Sequence, residues 1–178
     1  MEKSRSATLK AVEAGILRAR GDIGAACKML MDATEQCPGN PVARNFLASY
    51  VRISADDMLR KNEVDQAAMQ NQLILQSKPD DFWSIYRMVE ISMRSNRPDI
   101  AVKYLEHGMK IYPSSPLFIA LRGKYRGSVN ELSAAIQDYQ TAISILPERE
   151  EFWSEYAVFL RMGGNEEAAK AAEKPAGQ

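Results

Sequence analysis

Few side chains in this sequence combine a reactive type with a spacing that chemistry could use. The single histidine, His107, has no cysteine or second histidine at helical spacing, so it has no ligand set for a metal. Cys27 and Cys37 lack ligand spacing and read as free thiols of a reducing interior, with a disulfide between them as the alternative. Gly21-Asp22-Ile23-Gly24 has the glycines of a phosphate loop. It follows a helical stretch and lacks the Gly-Lys-Ser/Thr ending, so a turn with Asp22 as helix cap accounts for it. Glu148, Glu150 and Glu151 offer carboxylates for acid–base work, yet they stand where a helix begins and the helix dipole explains them. Arg122, Lys124, Tyr125 and Arg126 form the densest basic–aromatic cluster, but the apolar pattern claims Tyr125, the ring that would stack on a base, for the core. No catalytic, cofactor-binding or metal-ligating residue is assigned, no cofactor is expected, and the chain is expected not to be an enzyme.

The bulk composition narrows the partners. The 178 residues carry 23 Lys plus Arg against 23 Asp plus Glu, a formal charge of zero. Phosphate-contacting proteins usually carry a basic excess, so a nucleic-acid partner is not expected. No stretch approaches the roughly 18 apolar residues that span a bilayer, and residues 1–10 lack an apolar core of signal-peptide length. A cytoplasmic place with no membrane partner is the expectation.

What must position the side chains is a repeat. Phe82-Trp83-Ser84-Ile85-Tyr86 returns as Phe152-Trp153-Ser154-Glu155-Tyr156. Trp83, Phe118 and Trp153 are spaced by 35, while Pro79, Pro113 and Pro147, and likewise Asn62, Asn96 and Asn130, are spaced by 34. Between these marks the apolar residues recur at helical spacing. The pattern predicts helices over 4–19, 23–36, 42–60, 63–77, 80–94, 99–112, 117–126, 131–146, 149–162 and 166–173. They pair into five antiparallel units at about 4–38, 41–79, 80–113, 115–147 and 149–174, within one repeat domain over 1–178. The expected architecture is an all-α, right-handed α-solenoid, with stacking neighbours burying a continuous core. Trp83 and Trp153 are expected in that core.

These comb positions resemble the tetratricopeptide repeat: an aromatic, a Leu-Gly pair and a Tyr in the first helix, then Ala, an aromatic and Pro in the second. Trp153, Tyr156, Ala157 and Leu160 fill first-helix slots; Ala135, Tyr139, Ala142 and Pro147 fill second-helix slots. Ala14, Leu17, Gly21, Ala26, Leu30, Ala33 and Pro38 do so in the first unit. Arg87 and Arg122 stand where the family prefers a small residue, Asn71 where an aromatic is usual, and the second, third and fourth units are expected to carry extra residues. The Trp-x-x-Tyr spacing is also similar to the half-a-tetratricopeptide repeat of RNA-processing scaffolds.

The resemblance implies a non-catalytic protein–protein interaction scaffold or adaptor, holding a partner's peptide or amphipathic helix in a groove lined by the first helix of each pair. By register the groove residues are Arg44, Asn45, Arg52, Ser84, Ile85, Met88, Ile119, Arg126, Ser154, Val158 and Arg161. Their arginines among Ile, Met and Val imply an amphipathic segment with acidic character. The family's carboxylate clamp, which holds chaperone tails, is not found. The alternative is a module or subunit of a larger enzyme or secretion assembly. The ending Lys174–Gln178 leaves the last helix short, and an uncapped end is expected to support a homodimer or to dock another domain.

Overall fold

The computed structural model describes residues Glu2–Glu173, Ser77 without its side chain. The expectations that rest on Lys174–Gln178, including the closing Pro175, lie outside the described residues. Ten helices and no strand are found among them: α1 (Glu2–Ala19), α2 (Ile23–Gln36), α3 (Pro41–Arg60), α4 (Val64–Ser77), α5 (Phe82–Arg94), α6 (Pro98–Ile111), α7 (Pro116–Ser128), α8 (Leu132–Ile145), α9 (Glu150–Met162) and α10 (Glu166–Ala172).

The comb of asparagines has a backbone cause. Asn62, Asn96 and Asn130 have φ of 62°, 53° and 65°, and Gly21 and Gly164 take the same place at 87° and 81°. Only Gly, and next to it Asn, enters this left-handed region at little cost. Each residue closes the first helix of its unit with the same bond pair. The left-handed N–H donates three residues back, as Asn130 N to Gly127 O at 3.1 Å, and the next N–H five back, as Glu131 N to Arg126 O at 2.8 Å. That is the Schellman helix end, written five times. Five positions after each left-handed residue stands a fully buried alanine: Ala26, Ala67, Ala101, Ala135 and Ala169. A methyl there lets the two helices of a pair approach closely.

The other ends also repeat. Cys37, Lys78, Tyr112 and Leu146, each followed by proline, have φ between −124° and −145°. A residue before proline is pushed out of the helical region, so the second helix stops there. Both combs have period 34 from Asn62 onward. Extra residues are found in the second unit alone of the three expected: α3 has 20 residues, whereas α5, α7 and α9 each have 13. The comb at 35 is out of phase with the fold. At period 34 Phe118 aligns with Ser84 and Phe152, all buried, while Trp83 stands 41% exposed. Trp153 is partly buried against the core. Trp83 is therefore not the core residue its spacing implied.

The chain divides into two compact units, Met1–Ser84 and Ile85–Gln178, the division falling inside α5. In the first, α1 packs on α2 and α3, and α3 on α4. Ala11, Ala14, Ala26, Leu30, Tyr50, Val51 and Ile74 make its core. Asn40 accepts from Ala43 N at 2.9 Å, capping α3, and its Nδ2 donates to Ser4 O at 2.9 Å on α1. In the second, α7 packs on α6, α8 and α9, α8 on α9, and α9 on α10. Its large rings lie on glycines. A Cβ at Gly108 would collide with Phe118, and one at Gly127 with Phe159. Interdigitation of this kind brings interiors to crystal-like density.

Candidate functional site

The first helices of the C-terminal half, Ile85–Gln178, carry two layers of side chains. The inner layer is a buried ion cluster. Asp138, in the middle of α8, is 2% exposed. It accepts from Arg122 Nε at 3.1 Å and Nη2 at 2.7 Å, and from Arg126 Nη1 at 2.8 Å. Gly123, between the two arginines, leaves room for Tyr139 and Asp138 to close against α7. Charge-assisted, forked bonds of this kind hold a hairpin at fixed register. Arg122 is thus not a misfit in a small-residue slot; Gly123 fills that slot.

The outer layer lines a hollow of about 250 Å³ between α5, α7 and α9. Its floor includes Tyr86, Ala120, Leu121 and Phe152, with Tyr139 behind. Burial, with Glu90 next, pushes the Tyr86 phenol up to about 12, so it stays a neutral donor. Burial also raises the Tyr139 phenol. The walls are charged: Arg87 donates to Glu90 at 3.0 Å, Lys124 to Glu155 at 3.1 Å, and Arg149 lies 3.3 Å from Glu151 and over the Phe152 ring. Beside it is a second hollow of about 260 Å³, lined by Pro147, Glu148, Glu150, Trp153 and Glu173 among others. Trp153 Nε1 donates to Pro147 O at 2.8 Å, which fixes the ring. Glu148, Glu150, Glu151, Ser154 and Glu155 line the surface that joins the two.

Most residues assigned to the groove from the sequence are elsewhere. Ser84, Ile85, Met88 and Ile119 are buried at 1%, 0%, 3% and 5%, and present no surface to a partner. Each is a neighbour in sequence, or near neighbour, of a residue that lines the hollow, and one step on a helix turns a side chain by about 100°. Arg126 is engaged by Asp138. Arg52 approaches Asp81 at 3.4 Å, and Asp81 also accepts from Ser84 N and Oγ at 3.0 Å, capping α5. Arg161 pairs with Glu166 at 3.5 Å and with Glu173. Arg44 and Asn45 are exposed on α3, where Arg44 borders a separate hollow with Met31, Leu47 and Leu73. Val158 and Ser154 are exposed on α9, and Ser154 is the one assigned residue that reaches the joined hollows. The lining residues Tyr86 with Glu90, and Ala120 with Lys124, were in view as two pairs of spacing four, thirty-four positions apart.

The remaining reactive types are placed simply. Asp22 accepts from Ala25 N at 2.9 Å as the cap of α2, and Glu150 and Glu151 fall in the first turn of α9. Cys27 and Cys37 are free thiols, and burial pushes the Cys27 thiol up to about 11. His107 is exposed on α6. Among the described residues no group of three or more His, Cys, Asp or Glu could hold a metal ion, and no helix is long and apolar enough to cross a membrane.

Comparison with known proteins agrees with the helical-repeat fold. Among solved structures, MamA residues 41 to the end from Desulfovibrio magneticus RS-1 is similar at TM-score 0.70 and 14% identity, over 97% of this chain and 92% of that one. YrrB, described as a TPR protein with an unusual peptide-binding site, matches at TM-score 0.64 and 13% identity, over 92% and 80%. The first TPR of Spaghetti (RPAP3), bound to the HSP90 peptide SRMEEVD, matches at 0.58 and 14%, over 66% and 93%. These likenesses establish the fold, an all-α helical-repeat solenoid. No curated protein sequence matches. Residues 49–162, more than half of the chain, match the profile of the TT21 fifth ARM repeats domain, and the chain belongs to that family of tetratricopeptide-like helical repeats.

Proposed function

We propose that this chain is a protein–protein interaction scaffold without catalysis of its own, and that its C-terminal half takes an extended peptide or a helix of a partner in the hollow between α5, α7 and α9. The observation that carries the reading is that hollow itself. It has an apolar and aromatic floor, walls of opposite charges, and three successive first helices contributing to it. An apolar floor supplies area and a charged rim supplies orientation, the division of labour expected of a peptide site. Two solved proteins of this fold are described by a peptide-binding site or a bound peptide, which supports the reading. The free thiols suit a reducing compartment.

The test is site-specific photocross-linking in the native cell extract. A photoreactive residue replaces Lys124, which lines the hollow, or Lys103, exposed on α6. A discrete adduct from position 124 and none from 103 is the expected result. Equal adducts from both positions, or none from either, would remove the hollow as the binding site.

A further inference from the structure

We infer that the segment held by the C-terminal half is basic, with lysine or arginine side chains lying along α9. This rests on the reading of the hollow as a peptide site and names the chemistry of its occupant. The chain as a whole is neutral, yet the joined hollows are not. Glu90, Glu148, Glu150, Glu151, Glu155 and Glu173 line them, against Lys124 and Arg149. Internal pairing compensates four of these glutamates: Arg87 serves Glu90, Lys124 serves Glu155, Arg149 serves Glu151 and Arg161 serves Glu173. Glu148 and Glu150 make no ion pair among the described residues. They flank the fixed Trp153 ring in the smaller hollow. An aromatic face beside carboxylates that have no ion-pair partner attracts an ammonium or guanidinium group both through the ring quadrupole and by charge.

The opposite polarity is disfavoured by the same structure. An acidic segment would need free arginines, and Arg126 and Arg161 in this half already hold Asp138 and Glu173. Releasing Arg126 would take a charged hydrogen bond from a buried carboxylate, a costly exchange. A basic segment displaces nothing and finds its counter-charges waiting.

The probes are three pools of short fluorescent peptides with the same apolar residues and fixed lysine and arginine, fixed glutamate and aspartate, or fixed serine. Anisotropy is read on the unaltered full chain, and in separate runs position 154, exposed and uncharged in the joined hollows, carries the photoreactive residue to report whether a peptide reaches them. The basic pool is expected to bind about tenfold more tightly than the acidic one, as two or three modest ion pairs together allow. Its affinity is expected to fall with added salt and in Glu148→Gln/Glu150→Gln, whose exposed side chains are outside the core. Salt dependence in the unaltered chain stands as an independent reading should that variant fold poorly. An acidic or serine pool that cross-links in the hollow as tightly as the basic one overturns the basic polarity and leaves the hollow in place. Failure of every pool to cross-link there overturns both.

Discussion

The two halves of this molecule use one turn chemistry and two kinds of interior. In Met1–Ser84 helices approach over alanines, Ala7, Ala11, Ala14, Ala26, Ala33 and Ala43, and the first helices are long, 18 residues in α1 and 20 in α3. In Ile85–Gln178 the first helices are 13 residues each, and rings drop onto glycines. The charges differ as well. Asp57 and Lys61 meet at 2.7 Å on the exposed side of α3, whereas Asp138 is enclosed by two arginines. The contrast teaches that the helix ends, the same throughout, only mark off the units, while the length of the first helix sets their spacing. The contents of the core and of the site are free to vary between them.

The largest effect that would sharpen this contrast is removal of a ring. Phe118→Ala deletes a side chain with no exposure, seated on Gly108, and should cost about 3–5 kcal/mol. Urea unfolding followed by Trp153 fluorescence, in a Trp83→Phe background, reports it from the C-terminal half. A loss below about 1 kcal/mol would mean that the site collapses around the vacancy and that the ring–glycine core is not what holds this half.

Next comes the ion cluster. Asp138→Asn should cost about 2 kcal/mol, the scale of hydrogen bonds to charged groups, while Asp57→Asn in the first half should leave the unfolding midpoint unchanged. Equal responses would erase the distinction between the enclosed and the exposed pair. A smaller effect tests what the halves share. Asn130→Ala should cost about 1 kcal/mol for a left-handed residue without asparagine's tolerance, and Asn130→Gly should be neutral or better.

A further effect is one of pH in the first half, confined to the alkaline range. Burial raises the Cys27 thiol from 9.0 to about 11. The folded chain therefore keeps a proton that the unfolded chain gives up. The thiol's contribution to stability is complete below pH 9.0 and declines as the pH rises toward 11. A falling urea midpoint over that window should flatten in Cys27→Ala.

Much of the fold was legible because helix ends are local. Asn62, Asn96 and Asn130, with the prolines, each act within a turn, so one sequence suffices to read them. The predicted helices differ from the observed ones by at most two residues at either end. The site was less legible because it depends on rotation about helix axes. The 35-residue comb drawn through Trp83, Phe118 and Trp153 shifted the first helices out of phase. As a result Ile85 and Met88, which are buried, were assigned to the groove, and Tyr86 and Glu90, which line the hollow, were not. Asp138 gave no signal of its own. A lone carboxylate in a helix reads as solvated, and only the pairing of α7 with α8 reveals that Arg122 and Arg126 converge on it.

The five matching helix ends also bear on how quickly the chain can fold. Each is made from bonds reaching back only three and five residues, between helices adjacent along the polypeptide. A hairpin can then zip shut without waiting for distant segments to find one another. Topologies with such short-range contacts reach the native state in microseconds to milliseconds.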